Sequence, residues 1–189
     1  MRLEKILIRP VRESEEAKYQ QLMRMHHYLG AIPKIGETLR YIGIYKEQWV
    51  ALISFSAAAL KCAARDHWIG WSYRHQSGRL KLIVNNSRFL ILPAKQTKNL
   101  GSKVLSLCLK RLSGDWAEKY GHPILMVETF VDPEQFYGGV YRASNWHMVG
   151  YTKGFNRITG GYSRQTEQKK MLFLKPLHRS VQTILSQHK

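Results

Sequence analysis

The stretch that decides the fold is FLILPAKQTKNLGSKVLSLCLKRL, residues 89–112. Its apolar start, which ends at Pro93, predicts a strand, and the apolar residues of 104–112 recur at helical spacing. A short basic loop joins the two. Because the first N–H groups of a helix have no partner within that helix, this loop predicts an anion site. The anion is either a cofactor phosphate or the backbone of a nucleic acid.

Charge is the strongest global feature of the 189-residue chain. Thirty Lys and Arg against 13 Asp and Glu give a net charge of +17. Residues 48–114 contain eleven Lys and Arg and a single acid, Asp66. The basic surface therefore belongs to the fold itself, and it predicts a polyanionic partner, namely nucleic acid. No apolar run approaches the roughly 18 residues that span a bilayer, so we expect a cytoplasmic protein without a membrane partner.

The pattern of elements predicts one domain over residues 1–189. Its core covers about residues 5–176, with an insert at about 56–78 and a basic tail at 177–189. Residues 39–45 and 49–55 predict a β-hairpin, and the small apolar residues 56–64 predict a helix or a helical turn. Polar residues at 85–88 interrupt an apolar run and indicate a bulge or a hairpin tip. Residues 124–131 predict a buried strand.

The octapeptide Arg65-Asp-His-Trp-Ile-Gly-Trp-Ser72 has two interpretations. In the first, an ion pair between Arg65 and Asp66 fixes a loop whose tryptophans fill the core. In the second, Trp68 and Trp71 form an exposed surface on which bases or a substrate stack. The sequence leaves both open.

Glu128 and Asp132 are candidate catalytic carboxylates in a very basic chain. Their spacing of four places both on one face of a strand, provided that the strand extends that far. A metal-dependent nuclease needs two or three such groups to hold Mg²⁺. The candidates for that role are Glu128, Asp132, Asp66 and Asp115. Ion pairing explains the same carboxylates equally well, with Arg65, Arg88 or Arg142 as partners.

The order of strands and helices resembles the GCN5-related N-acetyltransferase (GNAT) fold. The loop of that family, Q/R-x-x-G-x-G/A, is similar to Gln96-Thr97-Lys98-Asn99-Leu100-Gly101, with Asn99 in place of the first glycine. Its Y-x-x-x-G-F-x-x-x-G pattern is similar to Tyr141-Arg-Ala-Ser-Asn-Trp-His-Met-Val-Gly150. The resemblance implies an α+β, single-domain fold with a mixed, mostly antiparallel sheet flanked by helices.

The GNAT resemblance also implies a cofactor and an acyl-transfer site. The cofactor is acyl-CoA, whose pyrophosphate the loop would bind through Gln96, Thr97, Lys98, Asn99, Leu100 and Gly101. Glu128 or a water molecule would act as general base, and Tyr141 as the acid that protonates the leaving thiolate.

A narrower resemblance covers about residues 8–176. The octapeptide at 65–72 and the segments 85–93, 115–116, 128–132 and 141–146 look like the Druantia DruA family of anti-phage proteins, which is also found with transposase-like proteins. Membership implies a part in phage defence or mobile elements, with other defence or transposition proteins as partners. It implies little about chemistry.

These observations favour a nucleic-acid-binding or nucleic-acid-processing protein, with DNA as the expected ligand. The residues expected to contact it are Arg65, Trp68, Trp71, Arg74, Arg88, Lys95, Lys98, Lys103, Arg142, Lys153 and Arg157. The alternatives are an acyl-CoA-dependent N-acyltransferase and a metal-dependent nuclease that uses Glu128 and Asp132. Acetyl-CoA and Mg²⁺ are the corresponding cofactors, and the sequence does not decide whether the protein is an enzyme.

Overall fold

The computed structural model describes residues 1–31, 36–58, 60–72, 76, 78–154, 157–158, 161–162 and 168–187. The helices are α1 Glu16–His26, α2 Ala63–Ile69, α3 Leu100–Tyr120, α4 Gly139–Ala143 and α5 Val181–Ser186. The strands are β1 Leu7–Pro10, β2 Thr38–Tyr45, β3 Gln48–Ala57, β4 Ile83–Ile91, β5 Met126–Val131, β6 His147–Tyr151, β7 Arg157–Ile158, β8 Gly161–Tyr162 and β9 Met171–Pro176. Within these described ranges, no helix is both long and apolar enough to cross a membrane.

The chain divides into two compact units. The first unit contains Met1–Ala57 and Val84–Ile124, and the second contains Ala58–Ile83 and Leu125–Lys189. In the first unit, β1, β2, β3 and β4 follow one another as antiparallel neighbours. The predicted hairpin is confirmed, and a two-residue turn of Lys46 (φ 48°) and Glu47 (φ 62°) closes it. Two successive positive φ angles match the right-handed twist of the strands that they join.

The polar interruption at 85–88 is a β-bulge inside β4. The register of β3 and β4 shifts after Ser54, so that Ser54 faces Arg88 while Phe55 faces Asn86. The buried Asn86 side chain fills the gap, since its amide nitrogen donates to the carbonyl oxygens of Ser54 (3.0 Å) and Arg88 (3.1 Å). The strand therefore continues through the polar residues, and the alternative of a hairpin tip is wrong.

Helix α3 is the long helix of the first unit, and it contacts β1 and β2. One stripe of the helix is fully buried: Leu100, Val104, Leu105, Cys108, Leu112 and Trp116. Intervals of three and four residues, with Leu105 directly beside Val104, keep these side chains on one face. Each buried leucine or valine contributes roughly 2 kcal/mol of hydrophobic stabilisation. This packing fixes where the helix begins, and therefore where the loop before it lies.

In the second unit, β9 lies between β5 and β6, antiparallel to both. Helices α2 and α5 contact each other, and Ile69, Trp71 and Leu185 join the strands in one apolar core. The predicted helix at 56–64 is wrong, because β3 continues to Ala57 and the helix begins at Ala63. Small apolar residues occur in strands and in helices, so composition alone did not distinguish a strand from a helix here.

Candidate functional site

The loop before α3 holds Asn99 in the backbone conformation that glycine usually supplies. Asn99 is the residue that precedes the helix, and its φ of 63° and ψ of 4° lie in the left-handed region. Asparagine enters this region more readily than most residues with a side chain. The N–H of Leu100 donates to the carbonyl of Thr97 (3.1 Å), and that of Lys103 to Asn99 (3.0 Å). Asn99 thus adopts a backbone conformation that glycine at this position would also adopt.

The start of α3 offers unpaired donors next to positive side chains. The N–H groups of Gly101 and Ser102 have no acceptor among the residues that the structure describes. The helix dipole adds a partial positive charge at this end. Lys98 is exposed and Lys103 is half-buried. Since residues 67–114 contain no Asp or Glu, nothing in this sequence segment opposes an approaching anion.

A cavity of about 360 Å³ adjoins the loop on the side of the hairpin turn. Tyr45, Lys46, Lys95 and Gln96 are among its lining residues. The Nζ of Lys95 donates to the side-chain oxygen of Gln48 at 2.6 Å, which holds the ammonium group at the rim. The lining contains two lysines and no carboxylate. The cavity therefore extends the cationic surface of the loop.

The octapeptide forms part of a buried ionic cluster in the second unit. Arg65 is fully buried, and its guanidinium donates to Glu128 at 3.0 Å and contacts Asp66 at 2.9 Å. Burial disfavours the charge on Arg65, but the two carboxylates more than offset it, so the pKa of Arg65 is raised. Arg65 cannot contact nucleic acid from this position, and that prediction is wrong. The guanidinium is bound by Asp66, which the sequence predicted as a partner, and by Glu128, which is distant in the sequence.

Asp66 and Trp71 belong to the same cluster. The indole nitrogen of Trp71 donates to Asp66 at 2.9 Å, and the amide of Gln76 donates to the other carboxylate oxygen at 3.0 Å. Trp71 is only 7% exposed and packs in the apolar core, so it offers no stacking face. Burial raises the pKa of the nearby Cys62 thiol to about 11, and the charge of Glu128 adds to the effect. The core-filling interpretation of the octapeptide is correct for Arg65, Asp66 and Trp71.

Glu128 and Asp132 have separate structural partners. Glu128 is completely buried against Arg65. Strand β5 ends at Val131, so the condition for placing both carboxylates on one strand face is not met. Asp132 instead shapes the following turn, where its carboxylate accepts from the N–H of Glu134 at 2.9 Å and from the side chain of Gln135 at 3.1 Å. Within the described residues, no three His, Cys, Asp or Glu side chains converge as a metal site.

Tyr141 lies in α4 with its ring buried. Its hydroxyl accepts a hydrogen bond from Thr129 at 3.4 Å, and its ring stacks on Phe173 with 5.7 Å between the ring centroids. Trp146 packs edge-on against Tyr141 at 5.0 Å and is 6% exposed. The indole nitrogen of Trp146 has no acceptor within the described part of the chain.

The remaining residues expected to bind nucleic acid divide into three groups. Arg88 is committed to the backbone, because its guanidinium donates to the carbonyls of Gly30, Leu29 and Ser87. Trp68 is partly buried and stacks on His147 at 6.1 Å. Lys95, Lys98, Lys103, Arg142 and Lys153 are exposed or half-buried. Arg74 and the side chain of Arg157 lie outside the described residues.

Two exposed aromatic residues were missed by sequence reasoning. Tyr137 is 78% exposed and Phe136 is 47% exposed, on the loop between β5 and α4. The signal was present, because two aromatic residues stand directly before the pair Gly138–Gly139. Close packing against such glycines fixes the neighbouring backbone and can direct an aromatic ring outward.

A family model for the Druantia protein DruA matches residues 2–183. The chain belongs to the DruA family. This match confirms the resemblance seen in the separate sequence motifs. No curated protein matches this DruA-family chain.

Solved structures identify the fold of the DruA-family chain. It is similar to NAA60 from Arabidopsis thaliana, solved in complex with acetyl-CoA, at a TM-score of 0.62 and 13% identity, over 90% of this chain and 98% of that chain. A GNAT acetyltransferase from Streptococcus pneumoniae gives a TM-score of 0.57 at 14% identity, over 92% and 99%. The ribosomal-protein-S18-alanine N-acetyltransferase from Escherichia coli gives 0.56 at 9%, over 97% and 96%. The predicted α+β, GNAT-like fold is confirmed.

Proposed function

We propose that this DruA-family protein acts in anti-phage defence by binding DNA, and that the loop before α3 holds a backbone phosphate. The observation that carries the proposal is the start of α3 after the left-handed Asn99, where the N–H groups of Gly101 and Ser102 have no acceptor among the described residues. A helix start of this kind suits a phosphate oxygen. Lys98 and Lys103 supply full charges beside it.

The overall charge supports DNA as the molecule whose phosphate the loop binds. A bound pyrophosphate needs one helix start and a few cations, whereas this chain has a net charge of +17. A DNA backbone carries one charge per roughly 1.7 Å of duplex and releases counterions when lysines neutralise it. Binding should therefore weaken steeply as the salt concentration rises. The lysine-lined cavity beside the loop adds cationic surface in the same unit.

Fluorescence anisotropy with a labelled 20-nucleotide duplex and a labelled single strand tests this proposal between about 50 and 200 mM salt. The double variant Lys98→Ala/Lys103→Ala should lower the slope of log K against log salt by about two, one unit for each lost phosphate contact. Lys5→Ala is the matched control, since Lys5 is an exposed lysine of the same unit. A wild-type affinity that does not change with salt would falsify DNA binding. If the double variant and the control have equal effects on DNA binding, the loop is not part of the DNA interface.

Asn99 provides a second test that leaves the charge unchanged. Asn99→Gly accommodates the positive φ without strain and should retain wild-type affinity. Asn99→Val places a β-branched residue in the left-handed region, at a cost of about 1–2 kcal/mol, and should weaken DNA binding. If both variants bind equally well, the loop conformation has no part in binding.

The second candidate function is acyl-CoA-dependent N-acyl transfer. Two specific observations favour it: the loop fits the phosphate-binding pattern, and two neighbours of similar fold, NAA60 and yncA from Salmonella typhimurium, were solved with acetyl-CoA. The loop of residues 96–101 would hold the pyrophosphate, with the N–H of Gly101 among its donors, and acetyl-CoA would supply the activated acyl group. Tyr141 would hold a proton at its hydroxyl oxygen, next to Thr129. Glu128 is bound to Arg65, which disfavours it as the general base.

Isothermal titration calorimetry with acetyl-CoA separates the two candidates. If acetyl-CoA binds and displaces the labelled DNA, both ligands use the loop before α3. If acetyl-CoA produces no heat and displaces nothing, the acyltransferase candidate fails while DNA binding stands. A metal-dependent nuclease is not proposed, because protein donors already engage the carboxylates of Glu128 and Asp132.

A further inference from the structure

An exposed aromatic pair lies on the loop between β5 and α4. Tyr137 is 78% exposed and Phe136 is 47% exposed. Large aromatic side chains usually gain stability by burial, so their exposure on an ordered loop indicates a use in binding.

The loop that carries the pair is held by hydrogen bonds. The carbonyl of Asp132 accepts from the N–H of Phe136 at 2.9 Å, and the carboxylate of Asp132 accepts from the N–H of Glu134, also at 2.9 Å. On the far side, the guanidinium of Arg142 donates to the carbonyl of Tyr137 at 3.0 Å. These bonds fix the backbone on both sides of the exposed rings.

Two glycines allow close packing on either side of this loop, and Gly139 is the one that contacts Tyr137. Gly138 has a φ of +73°, and a Cβ there would lie 2.6 Å from the ring of Phe173. A Cβ at Gly139 would lie 2.7 Å from the ring of Tyr137. The Tyr137 ring therefore rests on the bare backbone of Gly139 and presents its other face outward. A ring held in this way loses little conformational entropy when a ligand stacks on it.

We propose that Tyr137, flanked by Phe136 and Arg142, is a stacking platform for an unpaired base of single-stranded DNA. A flat ring accepts any base, because every base has a π-face. Arg142 is exposed and donates to the carbonyl of Tyr137, so its guanidinium supplies one positive charge next to the platform for a phosphate. The proposed ligand is therefore single-stranded DNA.

The size of the exposed aromatic surface favours a base over a protein partner. A stable protein interface covers about 800 Å² on each side, whereas one aromatic side chain offers roughly 150–250 Å². The exposed ring of Tyr137 matches the area of one stacked base. The net charge of +17 also favours a polyanion.

The platform rests on the proposed DNA-binding function, and the test distinguishes the failure of each. The probes are a labelled 20-nucleotide oligo(dT) and a labelled blunt duplex of the same length, measured by anisotropy at one salt concentration. Tyr137→Ala should weaken binding of the single strand by about 5- to 150-fold and leave duplex binding unchanged. Tyr137→Trp should retain single-strand affinity. Tyr151→Ala is the matched control, since Tyr151 is 53% exposed on β6 and should have no effect.

Each result has one meaning, provided that the thermal unfolding midpoints of the variants match that of the wild type. A selective loss with Tyr137→Ala, restored by Tyr137→Trp, supports the platform. Equal losses on single strand and duplex, or no loss on either, overturn the platform while DNA binding stands. If the wild type binds neither probe, the proposed function itself fails. If Tyr151→Ala weakens binding of the single strand and Tyr137→Ala does not, the stacking surface lies on β6 and the proposal for Tyr137 is overturned.

Discussion

The buried pair of Arg65 and Glu128 gives the sharpest prediction about stability. Replacing Arg65 with methionine leaves the carboxylate of Glu128 in a site that is completely buried. Removing one partner of a buried ion pair typically destabilises a protein by about 3–5 kcal/mol, because the remaining charge is uncompensated. We therefore expect Arg65→Met to lower the free energy of unfolding by that amount, a large share of the total stability of a domain.

The cluster predicts an asymmetry between the two partners. Glu128→Gln leaves Arg65 with Asp66, which lies 2.9 Å away, and keeps an oxygen that can accept a hydrogen bond. It should therefore cost less, about 1–3 kcal/mol. In the double variant Arg65→Met/Glu128→Leu neither buried charge remains, and Asp66 keeps its bonds from Trp71 and Gln76. The double variant should be more stable than Arg65→Met alone.

Urea unfolding followed by circular dichroism measures all three variants. Arg9→Met is the matched control, since Arg9 pairs with Glu15 at 2.6 Å but both side chains are partly exposed, and such pairs contribute about 1 kcal/mol or less. The reasoning is refuted if Arg65→Met changes stability no more than Arg9→Met does. It is also refuted if the double variant is less stable than Arg65→Met.

Two further predictions concern backbone strain and pH. Gly138→Ala should destabilise the protein by more than about 2 kcal/mol in urea unfolding, because its Cβ would meet the ring of Phe173 at 2.6 Å. Gly30→Ala is the control for backbone strain alone, about 1–2 kcal/mol, since Gly30 has a φ of +63° and a Cβ there would have nothing within 4 Å. An equal loss of stability at both sites would contradict the clash with Phe173. Burial, with the charge of Arg88, lowers the pKa of His27 to about 4, so the unfolded state binds more protons as the pH falls below about 6.5. Stability should therefore decrease as the pH drops from 6.5 to 4, and His27→Gln should reduce that slope in unfolding curves measured across this range; an unchanged slope would contradict the shift.

Much of the fold could be predicted because its signals are local. The β2–β3 hairpin, the bulge in β4 and the amphipathic helix α3 each follow from spacing within about 20 residues of sequence. The loop before α3 was predicted for the same reason. Its one departure from the GNAT pattern, Asn99, adopts the glycine conformation because its short polar side chain tolerates a positive φ.

The octapeptide shows why the candidate site was only partly predictable. Arg65 had several carboxylates as potential partners, and its strongest one, Glu128, lies 63 residues further along the chain. Sequence spacing carries no information about such a distant pair. As long as the partner of Arg65 was unknown, an arginine close to Trp71 was equally consistent with an exposed binding surface. Burial, which depends on tertiary packing, decided between the two interpretations.

The two units retain different parts of the acetyltransferase pattern. In the first unit, Asn99 has a left-handed backbone, and the N–H groups of Gly101 and Ser102 have no acceptor in the described part of the chain, which suits the proposed phosphate. In the second unit, Glu128 is neutralised by Arg65, so a carboxylate suited to general-base catalysis is instead part of the core. Phosphate binding does not require a general base, whereas acyl transfer benefits from one. These two features support our proposal that the chain holds a phosphodiester and does not react with a thioester, and its net charge of +17 is consistent with a long polyanion.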